Sequence, residues 1–522
     1  MGSRVYAYLI FLLLTGGGNL IQAQRVLYSP YIDDRFEFAG RAGNYYWVCK
    51  REMVISGKGG GAMVDSIEER SFEIYDGRMK LAFITPSIYL SPSIEKEYVV
   101  SGDYFDLFQI QADHHKTNLL LSRYSPDGKM LVNAGLVYSL PFSEAANSFL
   151  LSRSEDRSKI LLLCFENVPG AAMHVHAMLF DNNWRRLSYR VYEHLFFSQP
   201  LIQDDFTNYP VEFFDNYALK VANDGQWLMM LPSRQNANYA LIQFTARDSS
   251  YFYREIKSPI YSILEDVALS IDNERHEVFA SVLSSFRYPT LKNVEVVHYS
   301  MVSHQFDFDT TFRFNTLVGY RVKDENIIRE SFVSVPGSGF MLLKEYGKTY
   351  IDMNDLEDYN TSKVLKFFFA SNSISSTLKP SSLNRDGYTR YARLGGTRKI
   401  YQRGDLSMFY FPARQGDSCW SGIVNKEQIT EFNMPILSYM VVPIQQKLFF
   451  LYNSFFKAEI RYGNSTVLDY RGNLIEDEGP VYWQLGNLLD FQRAKRISDT
   501  EMAMPYEHNR KFGFAVIRFL NK

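Results

Sequence analysis

Cysteine is scarce. The 522-residue chain carries three, Cys49, Cys164 and Cys419. None forms a Cys-x-x-Cys pair, which excludes the zinc sites built on paired thiolates. Cys49 and Cys164 fall in apolar stretches and Cys419 in a loop just after one, and all three read as small buried hydrophobes. In an oxidising compartment one pair could bridge and leave the third free. Charge of one sign is also lacking. The 56 Lys and Arg nearly balance the 58 Asp and Glu, for a net charge of −2. No basic stripe marks a nucleic-acid partner. Beyond the N-terminal segment no apolar run approaches the roughly 18 residues that a membrane-spanning helix needs. The linear signatures G-x-S-x-G, H-E-x-x-H and the phosphate-binding P-loop are all missing.

What is present is an apolar, aromatic chain. Apolar residues make up 46% and aromatics 16%, with 40 Phe and 36 Tyr. That composition supports a sizeable core and favours strands over helices. At the N-terminus, Arg4 precedes a short apolar stretch, Ala7 to Thr15, and a small-residue site ends at Ala23. This has the form of an export signal, residues 1–23, too short to span a membrane. It resembles the signals of exported Bacteroidetes proteins. Residues 24–522 then read as one domain, and the mature chain is expected in the periplasm, on the cell surface or in the medium.

A hairpin of one kind recurs along that domain: apolar strand, short polar turn, strongly apolar strand. The copies are 36–48, 98–110, 149–165, 217–231, 267–283, 331–343, 400–411, 437–452 and the terminal 502–519. The clearest, Tyr217 to Leu231, turns at Asn223-Asp224-Gly225, where glycine accepts a positive φ. A more polar hairpin tends to follow, as at 72–84, 119–132, 177–191, 241–256, 296–312 and 467–479. Two hairpins per period make a four-stranded unit. Such a sheet cannot hide both apolar faces alone, whereas units stacked radially bury each face against a neighbour. The expected fold is all-β, a β-propeller of seven or eight four-stranded blades. The last hairpin has no successor, so the N- and C-terminal strands are expected to complete one blade together. A barrel in an outer membrane fits less well, because runs such as Ile160 to Phe165 are apolar on both faces.

The turn Ser125-Pro126-Asp127-Gly128 resembles the Ser-Pro-Asp-Gly turn of TolB-type and WD-like propellers. That resemblance implies the propeller fold and leaves function open. No Trp-Asp or kelch-type Gly-Gly signature accompanies it.

Several constellations bear on chemistry. His174 and His176 share a strand face but lack a third metal donor at a familiar spacing. Asp113-His114-His115 reads as a loop tip, and Asp307 with Asp309 as a solvated face. Asp352, Asp355, Glu357 and Asp358 superficially imitate a calcium loop without its glycine and terminal glutamate. Cys419 beside Trp420 lacks a partnered histidine. No metal or cofactor is expected. The residues chosen as candidate ligand contacts are the turn aromatics Trp184 and Trp420 and the loop pair Asp204 and Asp205. The reading is an exported binding or scaffold module for a protein or glycan on its loop-bearing face. The alternative is a carbohydrate-active hydrolase or lyase with its site in the channel, assembled from several blades and so invisible to linear motifs.

Overall fold

The structure is a computed structural model. It describes residues 24–32, 36–56, 65–90, 94–112, 116–141, 148–166, 173–195, 219–232, 239–245, 250–256, 263–285, 291–315, 326–352, 398–426, 428–430, 439–444, 446–456, 460–481, 487–498, 500–508 and 511–519. Among these residues there are strands, tight turns and one 3₁₀ turn, and no α-helix.

Eight antiparallel sheets make eight blades. Blade 1 spans 36–90, blade 2 94–141, blade 3 148–195, blade 4 219–256, blade 5 263–315, blade 6 326–430 and blade 7 439–481. Blade 8 takes its inner strands from 488–519 and its outer strand, Gln24–Tyr28, from the start of the chain. Strands are lettered a to d from the axis outward. Strand d of blade 1, Leu81–Ile84, is exposed along its whole length, as an outermost strand should be. On the inside, Ser154 bridges Val221 in parallel, which sets the inner ends of blades 3 and 4 side by side.

The core lies between blades rather than within them. Eight apolar clusters are formed, and each joins one blade to the next, from blade 1 against blade 2 round to blade 8 against blade 1. The ring is therefore closed. The continuous apolar strands explain themselves here, because successive side chains leave opposite faces. Ile160, Leu162 and Cys164 enter the cluster with blade 2, while Leu161, Leu163 and Phe165 enter the one with blade 4. A membrane barrel would instead form one closed sheet.

The blade count is eight, and one expected hairpin is corrected. Residues 400–411 do not turn: they belong to a single strand, Arg398–Pro412, paired along Gly339–Asp352. Arg403 opposes Gly347 and Leu406 opposes Glu345, so Gly404-Asp405 is absorbed as a bulge in a long strand. The terminal hairpin, 502–519, supplies strands b and c of blade 8. The closure of that blade by both termini is as expected from the sequence.

Candidate binding face and its central cleft

The a–b and c–d turns emerge at one rim of the ring, and they share a local design. In the c–d turn of blade 1, Asp76 Oδ1 accepts from the amides of Arg78 (2.8 Å) and Lys80 (2.9 Å). Asp181 does the same for Asn183 and Arg185 in blade 3, and Asp469 for Arg471 and Asn473 in blade 7. The residue three after the aspartate adopts positive φ in each: Met79 at 63°, Trp184 at 59° and Gly472 at 82°. The a–b turns of blades 3 and 4 repeat the left-handed position at Arg157 (61°) and Gly225 (92°). The aspartate side chain imitates a backbone turn and fixes the geometry even where glycine is absent.

These turns are tied to one another across blades. Gly43 N–H donates to Gly102 O at 2.7 Å, joining blades 1 and 2. Asp156 N–H donates to Asn223 Oδ1 (3.1 Å), Asn223 N–H to Asn273 Oδ1 (2.8 Å), and Asn273 Nδ2 to Glu155 Oε2 (2.8 Å), linking blades 3, 4 and 5. Arg157 Nη2 donates to the carbonyl of Ile497 on blade 8. Arg157 thus holds an unfavourable left-handed backbone where its neighbour blade has glycine, and its side chain spans from blade 3 to blade 8.

Between the a–b turns of blades 1, 2 and 3 lies a polar cleft of about 360 Å³. Arg41, Arg153 and Arg157 line it together with Asp103, Tyr104 and Asp156. Arg41 is ion-paired to Glu501 of blade 8, and Glu501 also accepts from Arg518 Nε at 2.7 Å. Below Tyr104, Asp106 is held by Arg123 through two bonds of 2.7 and 2.8 Å. The Arg123 guanidinium lies 4.5 Å from the centre of the Tyr104 ring and covers one face of it. The lining alternates cations and anions on three rigid turns. It suits polar recognition with pre-set geometry rather than a ligand of one charge. The carboxyl that burial lifts furthest, Glu295 at about 7, sits between blades 4 and 5 and not in this cleft.

The candidates chosen from sequence are not gathered there. Trp184 sits on the c–d turn of blade 3 with its Nε1 bonded to Asp106 Oδ2 at 2.7 Å, just beneath the cleft. Trp420, on blade 6, donates Nε1 to Tyr470 O at 2.9 Å and stacks on Tyr410, with ring centres 5.4 Å apart and planes at 17°. Asp204 and Asp205 lie outside the described residues, as do Asp113-His114-His115 and Asp355 to Asp358. His176 uses both ring nitrogens: Nε2 faces Glu166 Oε2 at 2.9 Å, and Nδ1 meets the hydroxyls of Tyr189 (3.0 Å) and Tyr138 (3.1 Å). Among the described residues, no group of three or more His, Cys, Asp or Glu is placed to hold a metal. The cleft arginines escaped sequence reading because they stand on two hairpins more than a hundred residues apart, Arg41 in blade 1 and Arg153 with Arg157 in blade 3. The available signal was an arginine at the turn position that a related hairpin gives to glycine.

The fold defines the class: an eight-bladed β-propeller. No family model matches the chain, and no curated protein does. Several solved structures align with the chain at low similarity. The WD40 domain of SCAP from fission yeast is 8% identical, with 95% of this chain and 98% of that one covered and a TM-score of 0.36. The β-propeller domain of the Trilobed protease from Pyrococcus furiosus is 9% identical over 82% of this chain and 97% of that one, TM-score 0.31. The polysaccharide lyase Uly1 is 10% identical over 83% and 91%, TM-score 0.31.

Proposed function

We propose that the chain is an exported binding module that captures a protein partner on the rim formed by its a–b and c–d turns. The observation that carries this reading is the interleaving of Arg41, Arg153 and Arg157 with Asp103 and Asp156 around one pre-formed cleft. An extended protein segment carries both charge signs and backbone amides and can meet such a lining. A glycan is the less favoured ligand, because sugar recognition leans on an open aromatic face and Arg123 covers a face of Tyr104. Export rests on the form of residues 1–23. Among the described residues no helix is long and apolar enough to cross a membrane.

The test is affinity capture and cross-linking with the chain from residue 24, in parallel with Arg153→Glu and Asp103→Lys variants and a glycan array. A protein cross-linked to the native chain and lost from both variants supports the reading. Capture that is indifferent to both substitutions overturns it, and saturable binding on the glycan array assigns the cleft to sugar instead.

A further inference from the structure

Among the described residues, three buried polar side chains on one face of blade 5 have no hydrogen-bond partner. Ser284 and Asn293 are fully buried, and Glu295 is 3% exposed. Both amide atoms of Asn293, both carboxyl oxygens of Glu295 and the Ser284 hydroxyl lack any hydrogen-bond partner. Their places on the sheet bring them together. Ser284 on strand b stands directly opposite Asn293 on strand c. Glu295 follows two residues on and shares the Asn293 side of its strand. Side chains at such neighbouring positions start about 5 Å apart across the strands. Val282 opposes Glu295 and belongs to the cluster between blades 4 and 5, so the trio faces blade 4.

Among the described residues no cation forms an ion pair with this carboxyl, and among charges only that of Arg313 favours its ionised form. Thr311 and Arg313 oppose Glu295 and Asn293 on the outer strand, and Arg313 is exposed. Arg254 of blade 4 is engaged with Asp309 at 3.8 Å and with the Phe306 ring at 4.1 Å. Lys292 pairs with Glu330 of blade 6 at 3.2 Å. Burial raises the Glu295 carboxyl to about 7 in spite of Arg313. A buried carboxylate without a counter-charge is costly, and so is each unbonded amide or hydroxyl beside it. One group satisfies all three at once: a positive ion that prefers oxygen.

We propose that Ser284, Asn293 and Glu295 bind a hard cation, calcium or sodium, in the seam between blades 4 and 5. The carboxylate supplies the charge, and the Asn293 carbonyl and Ser284 hydroxyl supply neutral oxygens. Waters complete the six to eight oxygen ligands that calcium takes. The amide hydrogens of Asn293 remain for the second carboxyl oxygen. No nitrogen or sulfur donor is in the trio, which disfavours the softer transition metals. The site would be a structural clamp between blades, and it is independent of the cleft reading.

The test is calorimetric unfolding of the chain from residue 24, stripped with chelator. Calcium chloride, magnesium chloride and sodium chloride are each titrated in, with choline chloride as the ionic-strength control. Binding raises Tm saturably, by roughly 2–3 °C at a hundred times Kd for a chain of this size. A calcium response assigns a divalent site, and a sodium response beyond that of choline assigns a monovalent one. Glu295→Gln removes the response. Ser284→Ala keeps the fold if that variant does not, and moves the titration midpoint to higher concentration. An unchanged Tm with every cation, or an equal response in Glu295→Gln and the native chain, overturns the proposal and leaves the trio hydrated only.

Discussion

Trp184 Nε1 donates a 2.7 Å hydrogen bond to Asp106 Oδ2, which ties the outer turn of blade 3 to strand b of blade 2. Asp106 is 3% exposed and also receives both arms of Arg123. The indole packs 4.7 Å from Phe108 and 4.9 Å from Phe180, measured between ring centres. Trp184→Phe keeps the ring contacts and deletes the donor, so about 1–2 kcal/mol of stability should go. Trp184→Ala should cost roughly 3–5 kcal/mol, since a large ring leaves the seam. Chemical denaturation measures both. A Trp184→Phe variant as stable as the native chain would show that Arg123 alone satisfies Asp106. Undiminished partner capture by that variant would move any ligand role off the indole N–H.

A similar dependence governs Trp420. A Cβ added at Gly472 would fall 2.7 Å from Trp420 Cδ2, and Gly472 holds φ at +82°. Gly472→Ala therefore meets strain in its own backbone and a clash with the indole. The cost should be about 1–3 kcal/mol, and Trp420 should leave its stack on Tyr410. Lower Tm together with a red-shifted, more quenchable tryptophan emission is the expected result. Unchanged emission would mean that the turn, not the indole, gives way.

The turn aspartates predict the acid limb of stability. Asp76 is held below the usual carboxylate range chiefly by the Lys80 amide, helped by that of Arg78. For Asp469 burial works upward, but the Asn473 side chain and the amides of Asn473 and Arg471 outweigh it. A carboxyl with a lowered folded pKa stabilises the fold above its unfolded value. That contribution is lost as pH falls through the folded one. Tm should hold above about pH 5 and fall below about pH 4. In an Asp76→Asn, Asp469→Asn double variant the fall should be shallower. An acid limb identical to that of the native chain would remove these turns from the account.

Much of the fold was legible because alternation carries it. Leu161 and Leu162 must go to opposite blades, so a strand apolar at every position announces two apolar neighbours. Turns were legible where glycine or Ser-Pro-Asp-Gly marked them. One was misread where glycine misled: at Arg403-Gly404-Asp405 there is no turn at all. The cleft was not legible, because Arg41 meets Arg153 and Arg157 only when blades 1, 2 and 3 pack side by side, and no spacing along the chain encodes that meeting. The trio in blade 5 was hidden differently. Ser284, Asn293 and Glu295 are ordinary strand residues in sequence, and only the absence of partners after folding sets them apart.

The three cysteines should separate cleanly by reactivity. None is in a disulfide; Cys49 and Cys164 are buried, as expected, whereas Cys419 is exposed on its loop, against the expectation of three buried thiols. Burial also pushes the Cys164 thiol well up, which suppresses the reactive thiolate. The folded chain should react with one equivalent of a thiol reagent and the denatured chain with three, given that count of free thiols. Cys419→Ser should abolish the native signal. Fewer than three equivalents after denaturation without reductant would reveal a disulfide.

Ring closure depends on a short strand at the N-terminal side. Gln24–Tyr28 pairs with 515–519 as the outer strand of blade 8. Val26 and Tyr28 pack on the cluster between blades 7 and 8, and Tyr506 donates to Ser29 O at 2.8 Å. A chain beginning at residue 30 would leave the edge of strand c open, an invitation to pair with another molecule. Its Tm should drop by several degrees and it should self-associate, as read by calorimetry and light scattering. Arg41→Ala attacks the other seam of blade 8, against blade 1, by breaking the pair with Glu501. Because Glu501 keeps Arg518, the loss there should stay near 1 kcal/mol, well short of the truncation. If the truncated chain stays monomeric and melts with the native one, the outer strand is dispensable and the three remaining strands of blade 8 suffice to close the ring.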